Sequence, residues 1–169
     1  YDPAHIVQRL ENYTPDKLPD GIILLLAAVD VQKDRLECEV LGLGLDDETW
    51  GVEYVKLFGD TEQDEVWDNL TEFLHSQHER ADKTKNLYTR ADGVALSVKA
   101  VAVDTQYRGS AVRKWARRCG LRQGDISQPG FYLVQGKGNP GPLLVTRRLN
   151  KQYRLRTWSI HTKQANDTI

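Results

Sequence analysis

The sequence has few cysteines and no long apolar run. Its two cysteines, Cys38 and Cys119, form no metal-binding motif, so a cytosolic protein with free thiols is the simplest interpretation. The longest apolar stretch runs from Ile22 to Val29 with Gly21 before it, which is far too short to span a membrane. That stretch also lacks the basic start and the cleavage site of a signal peptide. We therefore expect no membrane association.

Charge is unevenly distributed along the 169 residues, although the formal net charge is only -1. Residues 1–104 hold 10 Lys or Arg and 22 Asp or Glu, whereas residues 105–169 hold 13 and 2. An acidic region of this kind can hold cations, and a basic region can hold a polyanion. The alternative is that the two halves neutralise each other across the fold.

The pattern of apolar and polar residues predicts an α/β domain that follows an arm. Residues 1–20 carry three prolines and are interpreted as an arm or linker. Three strands joined by short turns into an antiparallel meander are predicted at 22–31, 36–43 and 49–57. A T-x-x-D capping box at Thr61 and Asp64 then predicts a helix that continues to about Gln77.

The rest of the chain continues with helices and further strands. A fourth strand is predicted at 97–103, followed by a helix that Ser110 caps and Gly120 ends. A fifth strand is predicted at 131–134, with a Gly-rich loop after it at 135–142. Residues 147–169 give mixed signals. The order β-β-β-α-β-α-β predicts a mixed sheet covered by helices, with the apolar first and fourth strands at its centre.

Two aspartates stand at the ends of the two most apolar strands, Asp30 on the first and Asp104 on the fourth. If these strands are parallel and adjacent, the carboxylates meet at the C-terminal edge of the sheet, where open α/β sheets bind ligands. Carboxylates held close repel unless a proton or a cation lies between them, and their hard oxygens suit Mg²⁺ or Mn²⁺. Two such ions can promote hydrolysis of a phosphodiester. The alternative is that each aspartate caps a turn.

Four segments, in the same order, resemble the nuclease domain of lambda-like phage terminase large subunits. They are AAVDVQKDRLECEVLGLGLDDETWGVEY at 27–54, VAVDTQY at 101–107, Gly136-Lys137-Gly138, and the stretch from Trp158 to Ile169. The resemblance implies an RNase H-like fold and an endonuclease that cuts concatemeric double-stranded viral DNA by a two-metal mechanism. It places Asp30 and Asp104 on the first two metal-binding acids of that family, which hold two Mg²⁺ or Mn²⁺ ions.

The resemblance also carries expectations about what surrounds this domain. The third acid of the family lies further along the chain, so the nuclease domain at 21–169 is expected to be truncated at its C-terminus. No Walker A sequence is present, so residues 1–20 are expected to lead from an ATPase domain outside this chain. The implied partners are double-stranded DNA, the terminase small subunit and the portal, in the cytoplasm of a bacterial host. His161 and Asn166 depart from the pattern of the family.

Two further acids are candidates for a third metal ligand. A two-residue turn at Lys33-Asp34 would place Glu37 opposite Asp30, where Glu37 is either a ligand or an exposed strand residue. Asp167 is the other candidate. His75 and His78 share a helix face and are either ligands of a soft metal or, as we expect, part of a solvated face.

Basic residues interleaved with aromatic ones, here Tyr153 and Trp158, suit a nucleic acid partner. The predicted DNA-binding residues of this segment are Arg147, Arg148, Lys151, Arg154 and Arg156. Lys137, in the Gly-rich loop, either reaches a phosphate or is a flexible surface residue. A second basic group lies on the second helix and is expected to be a solvated face; it comprises Arg113, Lys114, Arg117 and Arg118.

Two other functions compete with the nuclease. An actin-like ATPase domain also begins with a three-strand meander and an early aspartate, but it needs a Gly- and Thr/Ser-rich turn that residues 31–34 do not offer. A non-catalytic RNase H-like module that binds DNA or a packaging partner is the other alternative.

Overall fold

A computed structural model describes residues 11–76, 88–119, 130–139 and 144–161. The strands in these ranges are β1 (Leu24–Val31), β2 (Arg35–Leu43), β3 (Thr49–Phe58), β4 (Tyr88–Thr89), β5 (Ala95–Leu96), β6 (Val98–Asp104), β7 (Gly130–Lys137), β8 (Val145–Asn150) and β9 (Leu155–His161). The helices described are α1 (Asp64–Ser76) and α2 (Gly109–Arg118). Neither helix is long and apolar enough to cross a membrane.

Seven of the strands form one mixed sheet in the order β3-β2-β1-β6-β7-β9-β8, and β4 pairs with β5 in a separate hairpin. The first three strands are an antiparallel meander. The neighbours β1 and β6, β6 and β7, and β7 and β9 are parallel, and β8 returns antiparallel to β9. The predicted α/β class is confirmed, because an antiparallel meander followed by parallel strands and flanked by helices is the RNase H-like arrangement.

The two faces of the sheet differ in burial. Alternate residues of β1 are buried against the helices, and these are Leu25, Ala27, Val29 and Val31. On the same side α2 buries Val112, Trp115 and Ala116, which recur with helical spacing. The Trp115 ring lies 5.5 Å from the Trp67 ring of α1 and 6.0 Å from the Phe131 ring of β7. We call this side the helix face and the other side, which carries Asp30, the aspartate face.

Both cysteines are free thiols, as predicted. Cys38 belongs to the core on β2, and burial raises the pKa of its thiol to about 12. Cys119 is half-buried and lies 3.5 Å from the hydroxyl of Thr71. The predicted absence of a cysteine metal motif therefore agrees with a packing role for Cys38.

The two predicted helix caps are wrong. The first helix begins at Asp64, three residues after Thr61. Thr61 is fully buried, and its hydroxyl donates to the Gln32 carbonyl at 2.8 Å, so it ties the start of α1 to the β1–β2 turn. The N-cap of the second helix is Arg108, with φ of 53°, and Ser110 lies inside the first turn. At Thr61 the competing hydrogen-bond partner is supplied by tertiary structure.

The second half contains more strand than the sequence predicted. Residues 135–137 were expected in a loop, but β7 continues to Lys137, with Gln135 opposite Ser159 and Lys137 opposite His161 on β9. The described part of the segment with mixed signals, residues 147–161, belongs to the β8–β9 hairpin. Between the first predicted helix and the predicted strand at 97–103, Tyr88–Thr89 form the short strand β4. Pairing with a neighbour satisfies the backbone groups of these strands, so their polar composition does not prevent strand formation.

The predicted arm at 1–20 packs against the domain where it is described. Leu18 is fully buried, and its N–H donates to the Thr89 carbonyl at 2.8 Å. Residues 1–10, His78 and Asp167 lie outside the described residues, and the side chain of His75 does too. The predictions that rest on them stay predictions.

Two glycines in the meander provide a matched test of its packing. A Cβ added at Gly44, directly after β2, would lie 2.7 Å from Cζ3 of Trp50 and 2.8 Å from the Gly21 carbonyl oxygen. A Cβ added at Gly51 in β3 would meet nothing within 4 Å. We expect Gly44→Ala to lower the free energy of unfolding by about 1–3 kcal/mol, because overpacking forces the backbone to shift.

Gly51→Ala is the control, and it should leave stability unchanged or raise it by up to about 1 kcal/mol, since alanine loses less chain entropy. Urea denaturation of both variants measures the difference. Equal stability of the two variants would contradict the packing of Trp50 against the end of β2.

Candidate active site

Asp30 and Asp104 lie side by side on adjacent parallel strands. The register pairs Ala28 with Ala102 and Val29 with Val103, and the two aspartates are the next residue of each strand. Because Val29 and Val103 are buried on the helix face, alternation places both carboxylates on the aspartate face. Neighbouring strands are about 4.8 Å apart, so the two acids are direct neighbours. The prediction that these strands are parallel and adjacent is confirmed.

One row of side chains crosses the whole sheet through this pair. Paired residues on neighbouring strands share a face, so the row can be read from the register. On one side of the pair the row passes through Glu37 to Lys56, and on the other it passes through Val134 and Trp158 to Arg147. Carboxylates thus occupy the middle of the row, and a cation stands at each end.

Each aspartate is oriented by the residue two positions after it. The side-chain amide of Gln32 donates to Oδ2 of Asp30. The backbone N–H of Gln106 donates to Oδ1 of Asp104 at 3.1 Å, and its side-chain amide donates to the Gly136 carbonyl, also at 3.1 Å. Sequence reasoning missed both glutamines, although the pattern Asp-x-Gln occurs at both sites. Asp104 thereby also makes the turn-capping contact that the alternative interpretation predicted.

Thr105 anchors the end of β6 next to Asp104. This residue is buried, and both its N–H and its hydroxyl donate to the Val134 carbonyl, each at 2.8 Å. The backbone that carries Asp104 is therefore fixed against β7, and the carboxylate projects from a rigid edge of the sheet.

Glu37 faces Asp30 across the β1–β2 hairpin, as predicted. The Arg35 guanidinium donates to Oε1 of Glu37 at 2.6 Å, and the Tyr54 hydroxyl donates to Oε2. These hydrogen bonds, first from Tyr54 and then from Arg35, lower the pKa of Glu37. The same contact with Glu37 raises the pKa of Tyr54. Glu37 is therefore ionised with both oxygens engaged, and neither Arg35 nor Tyr54 was identified from the sequence.

The carboxylates of this edge supply two candidate metal ligands. Across the described ranges, no group of three or more His, Cys, Asp or Glu side chains is arranged to hold a metal ion. The candidate site in the described chain thus consists of the aspartate pair with Glu37 beside it.

The structure divides the basic residues that were predicted to bind DNA. Arg147 pairs with Trp158 and Arg156 pairs with Leu149, which places both arginines on the aspartate face. Arg148 pairs with the buried Thr157 and so belongs to the helix face.

The other basic residues of this set lie in turns or on the opposite side. Lys151 and Arg154 lie in the β8–β9 turn, where Arg154 has φ of 55°. Lys137 is exposed near the end of β7, and alternation from Val134 directs it away from Asp104. Trp158, one of the aromatic residues in this predicted DNA-binding segment, lies on the aspartate face. Its ring is 5.2 Å from the ring of Tyr132.

The basic side of α2 is largely neutralised by α1. Lys114 lies 3.2 Å from a carboxylate oxygen of Asp64, and Arg118 lies 2.8 Å from Asp64 and 2.6 Å from Asp68. These contacts agree with the expected solvated face and show that part of the charge asymmetry is cancelled within the fold.

Comparison with known proteins agrees with the predicted resemblance. The large subunit of the terminase from Escherichia phage lambda is 29% identical over 104 residues, which cover 62% of this chain. The chain spans only 14% of the length of that protein. Two solved PPX-GPPA structures from Aquifex aeolicus each cover 66% of this chain, with 10% and 8% identity and TM-scores of 0.32 and 0.33. They match over 36% and 35% of their own chains.

A family model gives the assignment. The family is described as the endonuclease domain of the terminase large subunit gpA, and its model matches residues 1–169. Because this match covers the whole chain, the protein belongs to the gpA terminase large subunit endonuclease-domain family.

Proposed function

We propose that this chain is a metal-dependent endonuclease domain that hydrolyses phosphodiester bonds of concatemeric double-stranded DNA during viral DNA packaging. The observation that carries the proposal is the position of Asp30 and Asp104, next to each other on parallel strands and on one face of the sheet. Membership of the gpA endonuclease-domain family supports the same reaction.

The donor set of the aspartate pair fits Mg²⁺ or Mn²⁺. Both ions prefer oxygen ligands, and Mg²⁺ keeps several waters and is usually held by one or two carboxylates. Asp30 and Asp104 would hold the ion, and among the described residues neither belongs to a cysteine or histidine cluster that would favour a soft metal. When bound, the metal supplies an activated water and stabilises the leaving oxygen of the phosphodiester.

The chain prepares the pair for a cation by holding two like charges together. Backbone pairing of β1 with β6 prevents the carboxylates from separating, and their mutual repulsion is relieved when a cation lies between them. The contacts from Gln32 and from the Gln106 N–H each engage one oxygen of an aspartate and restrict its rotation. The site is thereby preorganised before metal or DNA arrives.

Glu37 acts on the site through its charge in this proposal. Its two oxygens already accept hydrogen bonds from Arg35 and Tyr54, so direct ligation would require breaking one of them. Its lowered pKa keeps a third negative charge opposite Asp30 and strengthens the attraction for a cation. A second ion would need a ligand beyond the aspartate pair, and Asp167 remains the candidate from the sequence.

Cations on the aspartate face are placed to receive the DNA backbone. Arg147 stands in the same row as the aspartate pair, and Arg156 lies two residues before Trp158 on β9. Phosphate contacts of this kind fix the position of a duplex without reading its bases. The packaging partners proposed from the family are an ATPase domain, the terminase small subunit and the portal, in the bacterial cytoplasm.

The second candidate function is a non-catalytic RNase H-like module that binds DNA. Two observations favour it: Asp104 accepts a hydrogen bond from the backbone N–H of Gln106, as a turn-capping aspartate does, and the described residues offer only two carboxylates for a metal. The ATPase alternative gains no support, because the N–H of Gln32 donates to the Arg35 carbonyl at 3.0 Å and closes a short turn after Asp30. Metal-dependent cleavage separates the nuclease from the binding module.

Removal of either aspartate charge should abolish cleavage. We expect Asp30→Asn and Asp104→Asn, made in the full-length protein, to lower the Mg²⁺- or Mn²⁺-dependent rate of DNA cleavage about a hundredfold or more, as for other groups that stabilise transition-state charge. The matched control is Glu39→Gln, which removes a charge on the same face of β2, opposite Ala28. Cleavage of plasmid DNA measures all three variants. If both aspartate variants cleave DNA at the wild-type rate, the nuclease assignment is contradicted and the non-catalytic DNA-binding module is the remaining candidate.

Arg147 and Arg156 should account for part of the salt dependence of DNA binding. Replacing both with alanine should reduce the slope of log affinity against log salt by about 0.9 for each lost phosphate contact. The control replaces Lys114 and Arg117, which are exposed residues of α2 on the helix-face side of the sheet, and should leave the slope unchanged. Fluorescence anisotropy with a labelled duplex at several salt concentrations gives the slopes. Identical slopes for the two double variants would show that DNA does not follow the aspartate face.

A further inference from the structure

A cavity of about 440 Å³ lies on the helix face, between α2 and the β8–β9 hairpin. Its polar lining comes from α2, β7, β8, β9 and the β8–β9 turn, and it consists of Arg113, Gln135, Arg148, Asn150, Lys151, Thr157 and Ser159. The volume falls in the range of small-molecule sites. The sheet separates this cavity from Asp30 and Asp104, so it is distinct from the candidate active site.

The charge of the cavity is of one sign. Arg113, Arg148 and Lys151 line it, and no carboxylate is among the described residues that form its wall. Elsewhere on α2, Lys114 and Arg118 form salt bridges with acids of α1. Within the described part of the chain, the three cavity cations form no such salt bridge. A group of cations without carboxylates favours an anionic ligand.

Two buried polar atoms at the cavity have no hydrogen-bond partner in the described structure. They are Nε of Arg113 and Oγ1 of Thr157, and Thr157 is only 7% exposed. Buried polar groups are nearly always bonded, so these two donors mark a polar wall whose hydrogen bonds are incomplete within the described residues. An N–H of a guanidinium can only donate, and a hydroxyl can donate. Both atoms are nearly inaccessible in this structure, so an acceptor in the cavity would reach them only after a small shift of their side chains.

Gln135 and Ser159 add a further donor. The amide of Gln135 donates to Oγ of Ser159 at 2.9 Å, which leaves the hydroxyl hydrogen of Ser159 to donate elsewhere. The cavity thus combines two guanidinium groups, one ammonium group and two hydroxyl donors. This combination matches a tetrahedral oxyanion with several acceptor oxygens, because guanidinium groups bind phosphate through paired, charge-assisted hydrogen bonds.

We propose that this cavity binds a phosphate group, carried either by a mononucleotide or by a DNA strand. The guanidinium groups of Arg113 on α2 and Arg148 on β8 would supply the charge that binds it, and Thr157 on β9 would add a hydroxyl donor once its side chain shifts. The proposal concerns a second site on the far side of the sheet and does not rest on nuclease activity. Phosphate binding at this site and cleavage at the aspartate pair can therefore succeed or fail independently.

Isothermal titration calorimetry on the full chain tests the proposal with three probes, which are inorganic phosphate, a deoxynucleoside monophosphate and a short DNA duplex. Arg148→Gln should weaken binding about tenfold, because it removes a charge-assisted hydrogen bond. Thr157→Val keeps the side-chain shape and should weaken binding about threefold or more. The control is Arg117→Gln, which removes the same charge from α2 one turn after Arg113, outside the cavity.

The probes distinguish the two sources of the phosphate group. Weaker binding of inorganic phosphate and of the mononucleotide in Arg148→Gln, with Arg117→Gln unchanged, supports a free nucleotide as the ligand. An effect of Arg148→Gln and Thr157→Val on the duplex alone supports a backbone phosphate. The proposal is overturned if the wild-type chain binds none of the probes, or if Arg148→Gln and Arg117→Gln have equal affinities for every probe.

Discussion

The pairing of β1 with β6 forces two like charges together, and the candidate site depends on this constraint. Asp30 and Asp104 cannot move apart, because the residues before them, Val29 and Val103, are paired in register and buried in the core. On the helix face, Trp67 and Trp115 of the two helices pack against each other and belong to the same core as Val29 and Val103. Apolar burial on one side of the sheet thus fixes the backbone that carries the two carboxylates on the other side, where a cation could bind between them.

The uneven charge of the chain follows from this arrangement. One row of side chains across the sheet contains the acidic Glu37, Asp30 and Asp104. The basic Lys56 and Arg147 lie at the two ends of this row. Part of the asymmetry is cancelled between α1 and α2, where Asp64 contacts Lys114 and Arg118. The β8–β9 hairpin carries cations on both faces, because Arg147 and Arg148 are consecutive in a strand and therefore face opposite sides.

Local patterns were enough to predict the meander, β6 and the position of the aspartate pair. Those strands are apolar, their turns are short, and the order of elements left few possible topologies. The hairpin that carries Arg147 and Arg148 was not predicted, because polar strands at the edge of a sheet lack apolar alternation. The register of this hairpin decides which arginines lie on the same face as Asp104. The sequence therefore could not predict that Arg147 and Arg156 lie on the aspartate face and Arg148 on the helix face. The partners of Glu37 and Thr61 were missed since Tyr54 and Gln32 are brought to them by tertiary structure.

Anomalous diffraction from crystals soaked in Mn²⁺ tests the central claim most directly. The account predicts a peak at coordinating distance, about 2.1 Å for an ion of this type, from one oxygen each of Asp30 and Asp104. It also predicts that the peak is absent from Asp30→Asn crystals soaked in the same way. Well-ordered wild-type crystals with no Mn²⁺ between these two residues, or with the ion bound only elsewhere, would contradict the assignment of the aspartate pair as a metal site.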